Sequence, residues 1–133
     1  MPAIEPCGRV SRRTLVCVMG LALSGLGRAA HAAPLPAEMG RIEKLLNSLG
    51  ARRDLRMIRN GTAYDCETAV TFLRRKLAAM GDDVKTAEEF IDRIASRSSS
   101  SGQPYLVRLS DGKDVLAGEF LRLELVRLER PAR

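Results

Sequence analysis

The feature that most constrains this fold is the order of the first 32 residues, because it decides which residues remain to fold. Arg9, Arg12 and Arg13 precede an apolar run from Leu15 to Leu26, and Ala30-His31-Ala32 follows as a small-x-small site. That order reads as a cleavable export signal over residues 1–32, cut after Ala32. The apolar run of 12 residues reaches about 18 Å as a helix against a hydrocarbon core of about 30 Å, so it predicts no stable membrane span. Ser11-Arg12-Arg13-Thr14-Leu15-Val16 resembles a twin-arginine signal, a route that Gly20, Gly25, Gly27 and Arg28 also suit. The alternative is an ordinary signal whose head contains two adjacent arginines. Val16 before Cys17 argues against a lipoprotein anchor. The expected location is periplasmic or secreted.

What remains, residues 33–133, is 101 residues and one domain's worth of chain. Loss of the signal takes Lys plus Arg from 22 to 18 and Asp plus Glu from 16 to 15, so net charge falls from +6 to +3. That small excess makes no electrostatic case for nucleic acid. His31, Cys7 and Cys17 leave with the signal, so the mature chain has no histidine, no tryptophan and one cysteine, Cys66. This excludes a Ser-His-Asp or Cys-His arrangement, a histidine base, the usual zinc sites and an intrachain disulfide. No metal and no cofactor is expected, and any catalysis would rest on Asp, Glu, Lys, Tyr or Ser. Cys66 follows Asp65, a candidate helix cap, so the helix dipole favours a thiolate while Asp65 and Glu67 oppose it. The plainer reading is a small buried apolar residue.

Met39, Ile42, Leu45, Leu46 and Leu49 recur at helical spacing up to Gly50. Leu55 to Arg59 reads as a short extended segment, and Asn60-Gly61 as a tight hairpin turn. A second helix, from about Asp65 to Gly81, turns Ala69, Phe72, Leu73, Leu77 and Met80 to one face. Asp82 to Lys85 form a short connection. Thr86-Ala87-Glu88-Glu89 predicts a capping box: the threonine takes the Glu89 amide, and Glu89 reaches back to the Thr86 amide. The third helix sends Ala87, Phe90, Ile91, Ile94 and Ala95 inward, with Glu89 and Arg93 paired outside. Pro104 to Leu109 is a strand, Ser110 to Lys113 a turn, and Asp114 to Ala117 a return strand. Glu119 to Glu129 alternates like a strand but is rich in Leu, Arg and Glu, which favours helix. The expected fold is a single small α+β domain, about four helices packed with one or two short antiparallel hairpins. Its core is mostly Leu, Ile, Val and Met.

Two polar clusters stand out. Arg59-Asn60-Gly61 with Tyr64 sets a guanidinium beside a turn of exposed amides, which suits a carboxylate or phosphate; the plainer reading is a hairpin with a solvated arginine. Arg97, Ser98, Ser99, Ser100, Ser101 and Gly102, with Gln103, Pro104 and Tyr105, form a second set of hydroxyls and amides, or simply a frayed helix end and a flexible loop. Glu88, Glu89 and Asp92 read as helix-end charges, and no catalytic motif is present.

Four blocks together resemble the YfeK-like family of small exported bacterial proteins, a domain of unknown function. They are Ile58-Arg59-Asn60-Gly61 with Tyr64, Phe72-Leu73-x-x-Lys76, Thr86 to Ile91, and Ala95-Ser96-Arg97-Ser98-Ser99-x-Ser101-Gly102-x-Pro104-Tyr105. The resemblance covers nearly all of Met39 to Leu128, and its last block is the most specific. The family pattern often has a cysteine shortly before Arg-Asn-Gly, where this chain has Asp54-Leu55-Arg56, and a histidine where it has Phe72. The resemblance implies periplasmic export and one small domain, and no activity. It also suggests that the Arg59 turn and the Ser98–Tyr105 loop share one feature, a pocket or a structural latch. The leading expectation is a non-enzymatic domain that binds a small anionic ligand or an envelope protein partner there. The rivals are an envelope enzyme using Tyr64 or Lys76 with a carboxylate, and an assembly or stress factor that docks through a helical face.

Overall fold

The computed structural model describes residues 34–132, so the export signal expected over 1–32 lies outside the described residues. Helix α1 (Pro36–Gly50) opens on a proline, whose fixed φ and missing N–H cost nothing at a helix start. Its Ile42, Leu45, Leu46 and Leu49 are all buried, as their spacing predicts. Strands β1 (Arg56–Arg59) and β2 (Thr62–Asp65) form a hairpin across Asn60-Gly61. Both turn residues have positive φ, 50° and 80°, the geometry that matches the twist of paired strands. Asp65 then caps helix α2 (Cys66–Met80) by accepting the Thr68 amide at 2.7 Å.

After a 3₁₀ turn at Gly81–Asp83, helix α3 (Ala87–Phe90) runs directly into a wider π turn (Ile91–Ala95). Strands β3 (Leu106–Arg108) and β4 (Asp114–Leu116) form a second hairpin, and helix α4 (Ala117–Glu129) closes the chain. The two hairpins join into one antiparallel sheet in the order β2-β1-β3-β4, with Met57 opposite Val107 across the central pair. Helix α1 packs against α2, α3 and α4, and the core fills the space between these helices and the inner face of the sheet. The α+β class and the helical reading of the last segment hold. Among the described residues no helix is long and apolar enough to cross a membrane.

Several local expectations are corrected. Met80 is 41% exposed, because the helix end projects past the core and only its sulfur meets the Ser99 hydroxyl. Glu89 reaches back to the Lys85 amide at 2.7 Å, one residue earlier than expected, while Thr86 does accept the Glu89 amide at 3.1 Å. With that carboxylate turned toward the chain start, and the π turn shifting the angular spacing beyond it, the expected Glu89–Arg93 pair does not form among the described residues. Cys66, by contrast, is 2% exposed, as its reading as a small buried apolar residue expects, and burial pushes its thiol above the ordinary range. Glu88 and Asp92 each meet an arginine, Arg41 and Arg122, in keeping with their reading as helix charges.

One buried carboxylate had no expectation attached. Glu124 lies between α1 and α4, 7% exposed, and accepts from Ser48 and Arg127. The Arg127 hydrogen bond is the main reason its carboxyl sits below the usual value. The unfolded chain therefore takes up that proton first. Glu124's stabilisation is present above about pH 4.5 and is lost as pH falls through that region and below. Thermal midpoints measured from pH 7 to pH 3 should drop, and Glu124→Gln should flatten part of that drop.

Candidate functional site

Three pieces of chain converge beside the first hairpin turn. Arg59 ends β1, Phe72 and Lys76 stand one turn apart on α2, and the loop between the π turn and β3 folds over them. That loop is internally closed. The Ser98 amide donates to the Gln103 carbonyl, the Gly102 amide to the Ser98 carbonyl and the Tyr105 amide to the Ser96 carbonyl, each at 2.9 Å. Gly102 takes φ 71°, which lets the chain reverse there. Ser98 is buried with its hydroxyl 3.0 Å from that of Ser100. Ser101 donates to the Asn60 side chain at 2.6 Å and so ties the loop to the hairpin turn. A frayed end is thereby replaced by a knotted loop.

Beneath the loop runs a chain of rings. Tyr64 meets Phe72 edge-on at 6.0 Å between centroids, and Phe72 meets Tyr105 at 5.8 Å. Two cations lie over this chain, one from the end of β1 and one from α2. The Arg59 guanidinium carbon lies 5.4 Å from the Phe72 centroid, and the Lys76 ammonium lies 5.3 Å from that of Tyr105. Lys76 also donates to the carbonyls of Ile94, at 2.9 Å, and Arg97, at 2.6 Å. These are carbonyls that the end of the π turn leaves open. Burial, and then the charge of Arg59, hold the Lys76 ammonium below its usual pKa. Two donated hydrogen bonds nevertheless engage it as a cation, which counts against its use as a base or nucleophile.

Arg59 differs from every other cation in this neighbourhood. Its Nε is buried and has no hydrogen-bond partner. A cavity of about 180 Å³ opens here, lined by Arg59, Phe72, Lys76, Ser99, Ser100 and Tyr105. Two positive charges share this lining with no carboxylate, whereas Arg41, Arg52, Arg74, Arg108, Arg122 and Arg127 all have acidic partners. The cavity is smaller than the roughly 300–1,000 Å³ of drug-sized sites.

Of the cluster residues singled out in the sequence, Arg59, Ser99, Ser100 and Tyr105 line the cavity. Asn60, Gly61, Ser98, Ser101 and Gly102 shape or latch its rim, and Tyr64 backs Phe72. Arg97 contributes its carbonyl to Lys76, but its side chain lines a separate cleft with Asp92, Ser96, Glu119 and Arg122. Tyr105 is 2% exposed and belongs to the core as much as to the cavity. The two sequence clusters took in Ser100 but omitted Phe72 and Lys76. Their signal was the order Phe72, Lys76, Met80 at four-residue spacing, which sets a lysine in line with an apolar stripe. Among the described residues no group of three or more His, Cys, Asp or Glu side chains is placed to hold a metal ion.

Comparison with known proteins agrees with the sequence resemblance. The chain is 48% identical over 68 residues to the uncharacterized protein YfeK of Salmonella typhimurium strain LT2, a stretch covering 51% of this chain and 57% of that protein. The chain thus spans little more than half the length of this curated relative. No solved structure matches. A family model described as a family of unknown function, DUF5329, matches residues 36–129, all of the helices and strands described above. The chain belongs to that family.

Proposed function

We propose that this chain is an exported, non-enzymatic binding module of the periplasm that holds a small anion in the cavity beneath the serine loop. Export rests on the charged head, apolar run and small-x-small site of residues 1–32. Binding rests on one observation above all: a buried, unpartnered Arg59 Nε beside a second cation in a cavity whose lining carries no acid. A buried donor left unpaired costs about 1–3 kcal/mol. The loop that covers it is fastened by its own hydrogen bonds and by Ser101 to Asn60, so the site is formed in advance of any ligand.

The test is Arg59→Ala in the mature chain, with thermal midpoint and anion binding measured together. Loss of the contact with Phe72 and removal of the unpaired donor oppose each other, so stability should change by less than about 1 kcal/mol. Acetate titrated into the wild type should shift the amide resonances of Ser99 and Ser100, and these shifts should vanish in the variant. A large stability loss in Arg59→Ala, with no anion bound by the wild type, would make Arg59 a structural latch and overturn the reading.

A further inference from the structure

We infer that the anion is a carboxylate on a short apolar stem, its oxygens held between Arg59 and Lys76 and its stem laid against Phe72 and Tyr105. This rests on the binding reading above and adds the chemistry of the ligand. The first argument is a count of donors. An ammonium has three hydrogens, and Lys76 commits two of them to the Ile94 and Arg97 carbonyls, leaving one to turn into the cavity. Arg59 supplies a planar fork of N–H groups with no acidic partner. One fork and one point donor match the two oxygens of a carboxylate. When the Ser98 hydroxyl donates to Ser100, the Ser100 hydrogen is also free to reach the rim of the site.

The second argument, which also separates an organic carboxylate from inorganic phosphate, is the wall. Two aromatic rings, Phe72 and Tyr105, form one side of a cavity of about 180 Å³. A bare inorganic ion leaves that wall dry and unused, whereas a stem of a few carbons covers it.

The experiment titrates the mature wild-type chain with formate, acetate, propionate, propionamide and inorganic phosphate, following the Ser99 and Ser100 amides by NMR. Affinity should rise from formate to propionate by roughly fourfold per methylene. Propionamide should not bind, and phosphate should not displace propionate. Phe72→Ala should remove most of the gain per methylene while acetate still binds, a readout that does not depend on Arg59. N-acetylalanine and its amide separate the two sources of such a group. Tighter binding of the acid than of propionate assigns the site to a peptide chain end, and weaker binding assigns it to a free small acid. Phosphate binding that excludes propionate, with dependence on Arg59, would overturn the carboxylate and leave the anion reading standing. Absence of binding by every probe would overturn both.

Discussion

Replacing Tyr105 by alanine is expected to destabilise the domain by about 3–5 kcal/mol, a large share of the roughly 5–15 kcal/mol that holds a typical small protein together. The ring is 2% exposed and touches the Phe72 ring and the Lys76 ammonium at once. Its backbone joins three elements: the amide donates to the Ser96 carbonyl, and the carbonyl accepts from Ala117 at the start of α4, each at 2.9 Å. Those backbone bonds survive the substitution, so the loss comes from the ring alone. The cavity left behind would merge with the one beneath the loop, and the aromatic wall would collapse. Denaturant unfolding should show a lowered midpoint in Tyr105→Ala. Tyr105→Phe, which keeps the ring, should stay within about 1 kcal/mol of wild type. A Tyr105→Ala variant as stable as wild type would show that the ring is not part of the core.

The second large effect is at Lys76. Lys76→Met keeps the aliphatic stem but deletes both bonds from the ammonium to the carbonyls of Ile94 and Arg97. Hydrogen bonds from a charged donor contribute about 1.5–3 kcal/mol, and the Arg97 carbonyl lies near solvent, which can replace part of the loss. A destabilisation of about 1.5–3 kcal/mol is therefore expected. The variant should also differ from Arg59→Ala in kind. Lys76→Met releases the end of the π turn and loosens the serine loop, so hydrogen exchange at the Ser98 and Gly102 amides should accelerate. Arg59→Ala should leave those amides protected. Equal protection in wild type and Lys76→Met would mean that the ammonium does not hold the loop.

Much of this structure was readable in the sequence because its signals are local. The spacing of Ile42, Leu45, Leu46 and Leu49, the positive-φ pair Asn60-Gly61 and the Asp65 cap each act within a few residues. The joining of two hairpins into one sheet was not legible, since β1 meets β3 across the intervening helices and no local pattern encodes that register. The π turn was also hidden: Ile91, Ile94 and Ala95 are buried as a regular helix predicts, and the widening lies in the backbone, where the Ser96 hydroxyl donates to the Ile91 carbonyl at 2.6 Å. At the site, the sequence pointed to Arg59 and the serines through their polarity. It passed over Phe72 and Lys76 in the clusters because half-buried residues on a helix edge look like core or surface until the loop is placed on them. Arg97 illustrates the converse. It stands in the most specific block of the sequence, yet uses its carbonyl at this site and its side chain elsewhere.

The most direct measurement is the ¹⁵N-edited spectrum of the arginine side chains during titration with propionate. The Arg59 Nε–H, identified by its absence in Arg59→Lys, should begin as an unbonded resonance and move as propionate is added, while the Nε–H of Arg108, already paired with Asp114 at 2.8 Å, stays fixed. An Arg59 signal that does not move under any anion, or that moves only together with the signals of the other arginines, would contradict a binding site at Arg59.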